Sequence, residues 1–393
     1  ERNNIPHLPD GIFQPPFEMN MVEKDFTKRI AEKFDDRQVI IGRTANLTAP
    51  VKGRGLCQAR DLCHRGCPFG AYFSTNASTM PAAYATGNLT VRPYSLVNKV
   101  LYDEQKQRAK GVEIVDTETK EVIEFYSKII FLNAATVATG FILLNSTSNR
   151  FPNGLGNGSN QVGRNLMDHH KGLSVSADVE GYEDSYYRGR RPTNIYVPRF
   201  RNVKMKDADF LRGYHFGGSA SRWRHESSDG IGAELKESMT EPGKWVMGLY
   251  GFGECLPYSE NRMTLNNDKK DQWGRPMINI DCEFKQNELK MHEDMSVTAQ
   301  EMLTAGGFKN LRVSNAISSP GNANHEMGVA RMGRDAKTSV LNGFNQMHEV
   351  PNVFITDGSC MTSGSCVNPS LTYMALTARA CDYAVKELKR MNF

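Results

Sequence analysis

The stretch "VPNVFITDGS", Val350–Ser359, decides the fold of this 393-residue chain. Its apolar centre is typical of a buried strand, and Asp357 and Gly358 end that strand in a turn. The following block, "NPSLTYMALTARACDYAVKELKRMNF", places Pro369 at a first-turn position and continues with helical periodicity to Phe393. A strand, a loop and a long helix in this order present a helix N-terminus to a ligand.

Other segments extend this pattern into an α/β fold. The apolar run "KIIFLNA" (128–134) is typical of a buried parallel strand. Between 172 and 322, alternating stretches such as "KWVMGLYGFGECL" and "GRPMINIDCEF" predict an antiparallel sheet, which a helix over 287–307 closes. Apolar residues at i, i+4 spacing predict a further helix over 22–34.

Composition excludes some classes of protein. The 48 basic and 44 acidic residues leave a net charge of only +4, which argues against a nucleic-acid partner. No apolar run approaches the ~20 residues of a membrane span, so we expect no transmembrane segment. The five cysteines outside the first hundred residues are scattered, which favours buried small side chains over a disulfide framework.

Two polar residues near the C-terminus are candidates for chemistry. His325 lies in "NHEMGVARMG" (324–333), and Asn368 directly precedes the proline that begins the last helix. Taken singly, these are an ordinary loop histidine and an ordinary helix-capping asparagine. Together with "VFITDGS" they point to a site.

This combination resembles the C-terminal signature of the glucose-methanol-choline (GMC) oxidoreductases, which are flavoproteins that oxidise alcohols. Two other segments, "VGRNLMDHH" (162–170) and "NLTVRPYSLVNKVLYDEQKQRAKGVEIVD" (88–116), are also similar to stretches of that family. The resemblance implies a GMC-type, Rossmann-like FAD-binding domain with a second, antiparallel-sheet substrate domain. We expect FAD-binding parts at 1–171 and 323–393, and the substrate domain at 172–322.

The resemblance also implies roles for individual residues of the site. It makes His325 the base that takes the substrate's hydroxyl proton and gives Asn368 the role of holding the same hydroxyl. The helix from Pro369, with Thr372 one turn in, then points at the flavin. Further residues implied in FAD binding are Val97, Asp357 and Gly358. Asparagine at position 368 favours sugar-oxidising members of the family.

One expected feature is absent from the sequence. Family members open with a βαβ unit that carries a glycine-rich fingerprint, and no G-x-G-x-x-G follows an early strand here. The resemblance therefore implies that the N-terminal βαβ unit is missing and that the biological protein is longer than this sequence.

Three cysteines form a second candidate site. Cys57, Cys63 and Cys67 stand in the pattern C-x5-C-x3-C, with a proline directly after the last. Spacing alone leaves an iron–sulfur cluster, unligated thiols and a zinc ion with His64 all open. The same spacing in FAD-dependent glucose dehydrogenases of the GMC family implies a [3Fe–4S] cluster.

From the resemblance we expect a sugar dehydrogenase that is most similar to glucoside 3-dehydrogenases and FAD-dependent glucose dehydrogenases. It would oxidise a secondary hydroxyl of a sugar or glycoside, with C3 favoured, and pass electrons through the cluster to a cytochrome c type acceptor. A small chaperone-like subunit and a periplasmic location are implied as well. The aromatic and polar residues of "YHFGGSASRWRHES" (214–227) suit stacking on a pyranose ring. The same segment is equally compatible with an ordinary sheet strand and turn.

Two alternative functions are also compatible with the sequence. The first is a glucose, gluconate or other alcohol dehydrogenase of the same family. The second is a flavin-free electron-transfer or assembly fragment.

Overall fold

A computed structural model describes residues 11–185, 191–204, 206–224, 231–240 and 242–393. The chain divides into two compact units, which we call the sheet unit and the mixed unit. The sheet unit comprises Glu1–Thr90, Lys171–Gly253 and Lys290–Ile317. The mixed unit comprises Val91–His170, Glu254–Leu289 and Ser318–Phe393. The predicted domain boundaries after residues 171 and 322 stay predictions.

The described residues form six α-helices and thirteen strands. The helices are α1 (Met21–Lys33), α2 (Thr79–Tyr84), α3 (Thr136–Asn145), α4 (Ala233–Ser238), α5 (Gln286–Ala305) and α6 (Ser370–Lys389). The strands are β1 (Ile40–Ile41), β2 (Ser95–Asp103), β3 (Arg108–Asp116), β4 (Val122–Tyr126), β5 (Ile130–Leu132), β6 (Leu173–Val179), β7 (Ile195–Val197), β8 (Tyr214–Arg224), β9 (Pro242–Gly253), β10 (Arg262–Lys270), β11 (Pro276–Asp281), β12 (Lys309–Asn315) and β13 (Val353–Ile355).

The sheet unit is built on a six-stranded sheet with the order β1-β7-β8-β9-β6-β12, and all of its pairs are antiparallel. The predicted antiparallel sheet is therefore confirmed. Alternate residues of β6, β7, β8 and β9 enter one core, as the twofold side-chain period of a strand requires. Tyr214 and Phe216 are fully buried in this core, so these two aromatic side chains of the 214–227 segment do not face a ligand.

Helix α1 covers this core, and its sequence explains both its start and its packing. The Asn20 side chain accepts a hydrogen bond from the backbone N–H of Glu23, whose carboxylate accepts one from the Asn20 N–H in return. This reciprocal cap fixes the first turn. Phe26 and Ile30 are fully buried, and the Phe26 ring stacks on Phe308 at a centroid distance of 5.6 Å.

The mixed unit combines parallel and antiparallel strands. β13 pairs in parallel with β5, so the apolar run 128–134 forms a parallel strand, as predicted. β2, β3 and β4 form an antiparallel sheet. β10 and β11, which contain "PMINID", pair antiparallel with each other in a hairpin rather than in the six-stranded sheet. The α/β class with antiparallel sheets is confirmed.

The helices do not have the character of membrane spans. Across the described part of the chain, none is both long and apolar enough to cross a bilayer.

Truncation of Phe26 tests the packing of α1 on the sheet unit. Phe26→Ala removes a fully buried ring from the core, and we expect a loss of about 3–5 kcal/mol in the free energy of unfolding. Lys28→Ala, on the exposed side of the same helix, should change it by less than about 0.5 kcal/mol. Urea unfolding followed by circular dichroism measures both variants. Equal effects of the two substitutions would contradict this packing.

Candidate active site

His325 is held at the beginning of an extended segment that lies between two others. Met327 exchanges two backbone hydrogen bonds of 2.9 Å with Met167 on one side. On the other side, the Gly328 N–H donates to the Gly358 carbonyl at 3.1 Å. Odd and even residues of the segment thus bond to the neighbouring segments on opposite sides. This backbone pairing fixes the direction in which the His325 side chain points.

Close backbone approach makes glycine necessary at position 328. Its φ is +93°, and a Cβ atom there would lie 1.9 Å from the carbonyl oxygen of Asn165. The next residue, Val329, has a φ of +65°, an outlier for a β-branched side chain. Its backbone is held by hydrogen bonds to Arg164 and Gly163 at 2.9 and 2.8 Å. Backbone strain of this kind clusters at functional sites.

Asp168 fixes the backbone around the candidate histidine. One carboxylate oxygen, Oδ2, accepts hydrogen bonds from the N–H groups of Gly321 and Ala323 at 2.9 and 3.0 Å. The other, Oδ1, accepts from the N–H groups of His169 and His325 at 2.8 and 3.2 Å. The Asp168 side chain is buried, so these four donors replace its hydration.

The structure brings His325 and Asn368 together. The amide nitrogen Nδ2 of Asn368 lies 3.2 Å from Nε2 of His325, and Asn368 is exposed. The other ring nitrogen of His325, Nδ1, lies 3.0 Å from Nδ1 of His169, and the two rings meet edge to face. His325 is half-buried, so its ring connects the interior to the surface.

His169 and Asp168 are the site residues that sequence reasoning missed. Both lie in "VGRNLMDHH", a segment that resembles the GMC family but whose individual residues the sequence does not assign to a role. His169 is fully buried, and this burial, together with the neighbouring His325, lowers the pKa of its imidazole to about 4. The Asp-His pair that follows a turn is the feature of the sequence that could have identified these two residues.

The structure places Pro369 and Thr372 at the start of α6 and Val97 on β2. Pro369 is the cap residue of α6, whose first turn has no side-chain cap, and Thr372 is exposed in that turn. Pro369 directly follows Asn368 in the chain, and Thr372 lies one helical turn further on. Val97 is half-buried on β2, an outer strand of its sheet, where it pairs with Ile114.

Asp357 and Gly358 lie directly after β13 and are engaged with the protein itself. The Thr139 hydroxyl donates to the Asp357 carboxylate at 2.6 Å, and the Asp357 side chain caps a single 3-10 turn. A Cβ atom on Gly358 would lie 2.4 Å from the Thr136 hydroxyl and 2.5 Å from the Glu326 carbonyl oxygen. Packing inside the mixed unit therefore already requires glycine at this position.

In the sheet unit, the three clustered cysteines line one half-open surface pocket. Within the described ranges, no three His, Cys, Asp or Glu side chains converge closely enough to hold a single metal ion. A tetrahedral zinc ion with His64 as a fourth ligand does not fit that arrangement. In a multi-iron cluster each thiolate binds its own iron, so the ligands surround a volume instead of a point.

Nitrogen donors surround the sulfur atoms of this loop. The Asn46 amide donates to Cys63 Sγ at 3.7 Å, and the Ala59 N–H donates to Cys57 Sγ at 3.4 Å. The backbone N–H of Tyr72 is the largest cause that lowers the pKa of the Cys67 thiol. The lowered pKa favours the thiolate form of Cys67, which is the form that binds a metal.

Comparison with known proteins identifies the family. The N-terminal model of the GMC oxidoreductases matches residues 44–171, and the C-terminal model of the same family matches residues 257–377. Together these matches cover more than half of the chain. The chain belongs to the GMC oxidoreductase family.

Several curated relatives are similar over most of this chain. A 2-methyl-1,2-propanediol dehydrogenase of Mycolicibacterium austroafricanum is 29% identical over 86% of this chain and 62% of its own length. The fructose dehydrogenase large subunit of Gluconobacter japonicus is 25% identical over 88% of this chain and 62% of its own length. The chain thus spans about three-fifths of the length of these two relatives.

Solved structures share the fold. A pyridoxine 4-oxidase from Mesorbium loti superimposes with a TM-score of 0.57 at 16% identity, over 95% of this chain and 70% of that one. A formate oxidase of Aspergillus oryzae gives a TM-score of 0.56 at 16% identity, over 82% of this chain and 64% of that one. The predicted GMC-type fold is confirmed.

The low pKa of His169 makes stability depend on pH. Between about pH 6.5 and pH 4 the unfolded chain binds a proton at this histidine that the folded protein does not bind. The free energy of unfolding therefore decreases as pH falls through this window, by up to ~1.4 kcal/mol per pH unit from this group. His169→Asn removes the contribution, so urea unfolding at several pH values should show a flatter dependence than in the wild type. An unchanged dependence would contradict the burial of a neutral His169.

Proposed function

We propose that this protein is an FAD-dependent oxidoreductase that oxidises a CH–OH group to a carbonyl. The observation that carries the proposal is the pairing of His325 Nε2 with the Asn368 amide at 3.2 Å, directly before the N-terminus of α6. A base and a neutral hydrogen-bonding group at this spacing both reach one hydroxyl. Membership of the GMC oxidoreductase family supports the same assignment.

The two residues have different tasks in this reaction. His325 accepts the hydroxyl proton at Nε2, and histidine suits this task because an unperturbed imidazole titrates near neutrality. The Asn368 amide donates a hydrogen bond to the hydroxyl oxygen and so orients the carbon–hydrogen bond. FAD, when bound, supplies the acceptor for the hydride that leaves that carbon. Loss of the proton and the hydride leaves the substrate as a ketone or an aldehyde.

The first turn of α6 fits one end of the flavin. Its N–H groups lack a side-chain cap, and the 20-residue helix carries partial positive charge at this end. Pro369 and Thr372 would lie against the cofactor here and stabilise negative charge on it. In this proposal Asp357, Gly358 and Val97 act through their backbone positions, because the side chain of Asp357 already bonds to Thr139.

The substrate we propose is a sugar or glycoside with a reactive secondary hydroxyl, and C3 is the favoured position. A fructose dehydrogenase large subunit and a gluconate 2-dehydrogenase flavoprotein among the relatives support a polyhydroxylated substrate. The choice of C3 derives from the resemblance to glucoside 3-dehydrogenases. The 2-methyl-1,2-propanediol dehydrogenase among the relatives favours a small diol as the second candidate.

We further propose that Cys57, Cys63 and Cys67 hold a [3Fe–4S] cluster. Their shared pocket and the N–H donors around their sulfur atoms support this assignment. The cluster, when bound, passes on electrons one at a time. A flavin-free electron-transfer fragment would share this loop, and the visible absorbance of bound flavin distinguishes it from the enzyme.

The surface of the cysteine loop suits a protein acceptor. Four of its apolar side chains are between 37% and 44% exposed, among basic residues and one acid, Asp61. An apolar patch with a positive rim favours a partner with an acidic rim. We propose a cytochrome c type acceptor, a small chaperone-like subunit and a periplasmic location. The apolar residues are Leu56, Leu62, Phe69 and Tyr72, and the basic residues are Lys52, Arg54, Arg60 and Arg65.

Removal of the base tests the oxidation step. In His325→Ala the hydroxyl proton has no acceptor, so sugar-dependent dye reduction should fall by about 10²- to 10⁴-fold while the flavin absorbance is retained. His348→Ala serves as a control, because its ring bonds to Ser339 instead. Undiminished turnover in His325→Ala would refute the assigned role.

Removal of one thiol tests the cluster. Cys63→Ser should lower the iron content and abolish electron transfer to cytochrome c, whereas sugar-dependent dye reduction at the flavin continues. Cys381→Ser, at an exposed free thiol of α6, should leave the iron content unchanged. Unchanged iron in Cys63→Ser would show that the cysteines do not bind a cluster.

A further inference from the structure

The contacts of His169 determine which of its ring nitrogens carries hydrogen. Its Nε2 lies 2.8 Å from the carbonyl oxygen of Ser365 and 3.2 Å from that of Gly364. Carbonyl oxygens only accept hydrogen bonds, so this Nε2 must be an N–H group. A neutral imidazole has a single N–H, and Nδ1 of His169 is then a lone-pair acceptor.

His169 is neutral because it is buried. Its side chain is fully buried, and the loss of hydration, with the neighbouring His325, lowers the pKa of His169 to about 4. Asp168 is the charged group that acts in the opposite direction, and it is outweighed. At neutral pH the ring therefore offers one donor and one acceptor.

The position of the hydrogen on His169 determines the position of the hydrogen on His325. Its Nδ1 lies 3.0 Å from Nδ1 of His169, and two ring nitrogens at this distance share one hydrogen. Since His169 contributes a lone pair there, His325 must contribute the N–H. Neutral His325 then has its lone pair on Nε2, the nitrogen 3.2 Å from the Asn368 amide.

We propose that His169 is a positioning residue that holds His325 in the Nδ1–H tautomer and so makes Nε2 the proton-accepting atom. This inference rests on the proposed function, in which that atom takes the hydroxyl proton. The O–H bond of the substrate breaks and an N–H bond forms at Nε2 of His325. His169 keeps its own proton and accepts the Nδ1–H throughout, which stabilises the charged ring of His325.

Nitrogen-15 NMR of the holoenzyme, labelled at its nine histidines, tests the tautomer without reference to turnover. Above the pKa of His325, the wild type should show hydrogen on Nδ1 of His325 and none on Nε2, with the signals assigned by their loss in His325→Asn. His169→Ala should give a mixture of tautomers. His169→Asn, whose amide oxygen can replace the acceptor, should restore the wild-type pattern. Hydrogen on Nε2 in the wild type, or an unchanged tautomer in His169→Ala, would overturn the proposal.

Steady-state kinetics give a second readout. We expect kcat to fall by about 10- to 100-fold in His169→Ala with KM changed less than about twofold, and to recover largely in His169→Asn. His348→Asn is the matched control and should keep wild-type kcat. An unchanged kcat in His169→Ala beside an inactive His325→Ala would overturn the positioning role alone. An active His325→Ala would overturn the proposed function itself.

Discussion

The arrangement of the candidate active site depends on one buried carboxylate. Asp168 accepts four backbone hydrogen bonds, from Gly321, Ala323, His169 and His325. Hydrogen bonds to an ionised acceptor in a buried site are stronger than those between neutral groups. Through this one side chain, two segments more than 150 residues apart are fixed to each other, and both histidines are attached to it.

Rigid support of this kind matters because a base acts only within hydrogen-bond reach of its substrate. The His325 segment is bonded on both sides, and glycine at position 328 allows the close approach that this requires. The cysteine loop of the sheet unit differs, since its side chains are largely exposed around their pocket. Buried polar support suits the proposed proton transfer, and an exposed loop suits exchange of electrons with another protein.

The spacing of apolar residues and the residues typical of helix ends made much of the fold predictable from the sequence. The i, i+4 apolar spacing of α1, the apolar runs of β5 and β13 and the proline before α6 all correspond to elements of the structure. Contacts between distant segments were not predictable, because no local pattern records them. His169 and His325 are 156 residues apart in the chain. Tyr214 and Phe216 belong to a segment whose sequence suits stacking on a sugar, but both side chains are buried in the core of the sheet unit. The motif that carries Asp168 and His169 was visible, but its pairing with His325 exists only in the fold.

Anaerobic stopped-flow reduction of the enzyme-bound flavin shows whether a CH–OH group is oxidised beside His325. We expect a glycoside to bleach the flavin absorbance in a single turnover. Replacement of the carbon-bound hydrogen of the reacting CH–OH group by deuterium should slow this bleaching several-fold, because that hydrogen leaves as hydride. A flavin that no alcohol or sugar reduces, or a rate insensitive to deuterium at every CH–OH position, would contradict oxidation of a CH–OH group at this site.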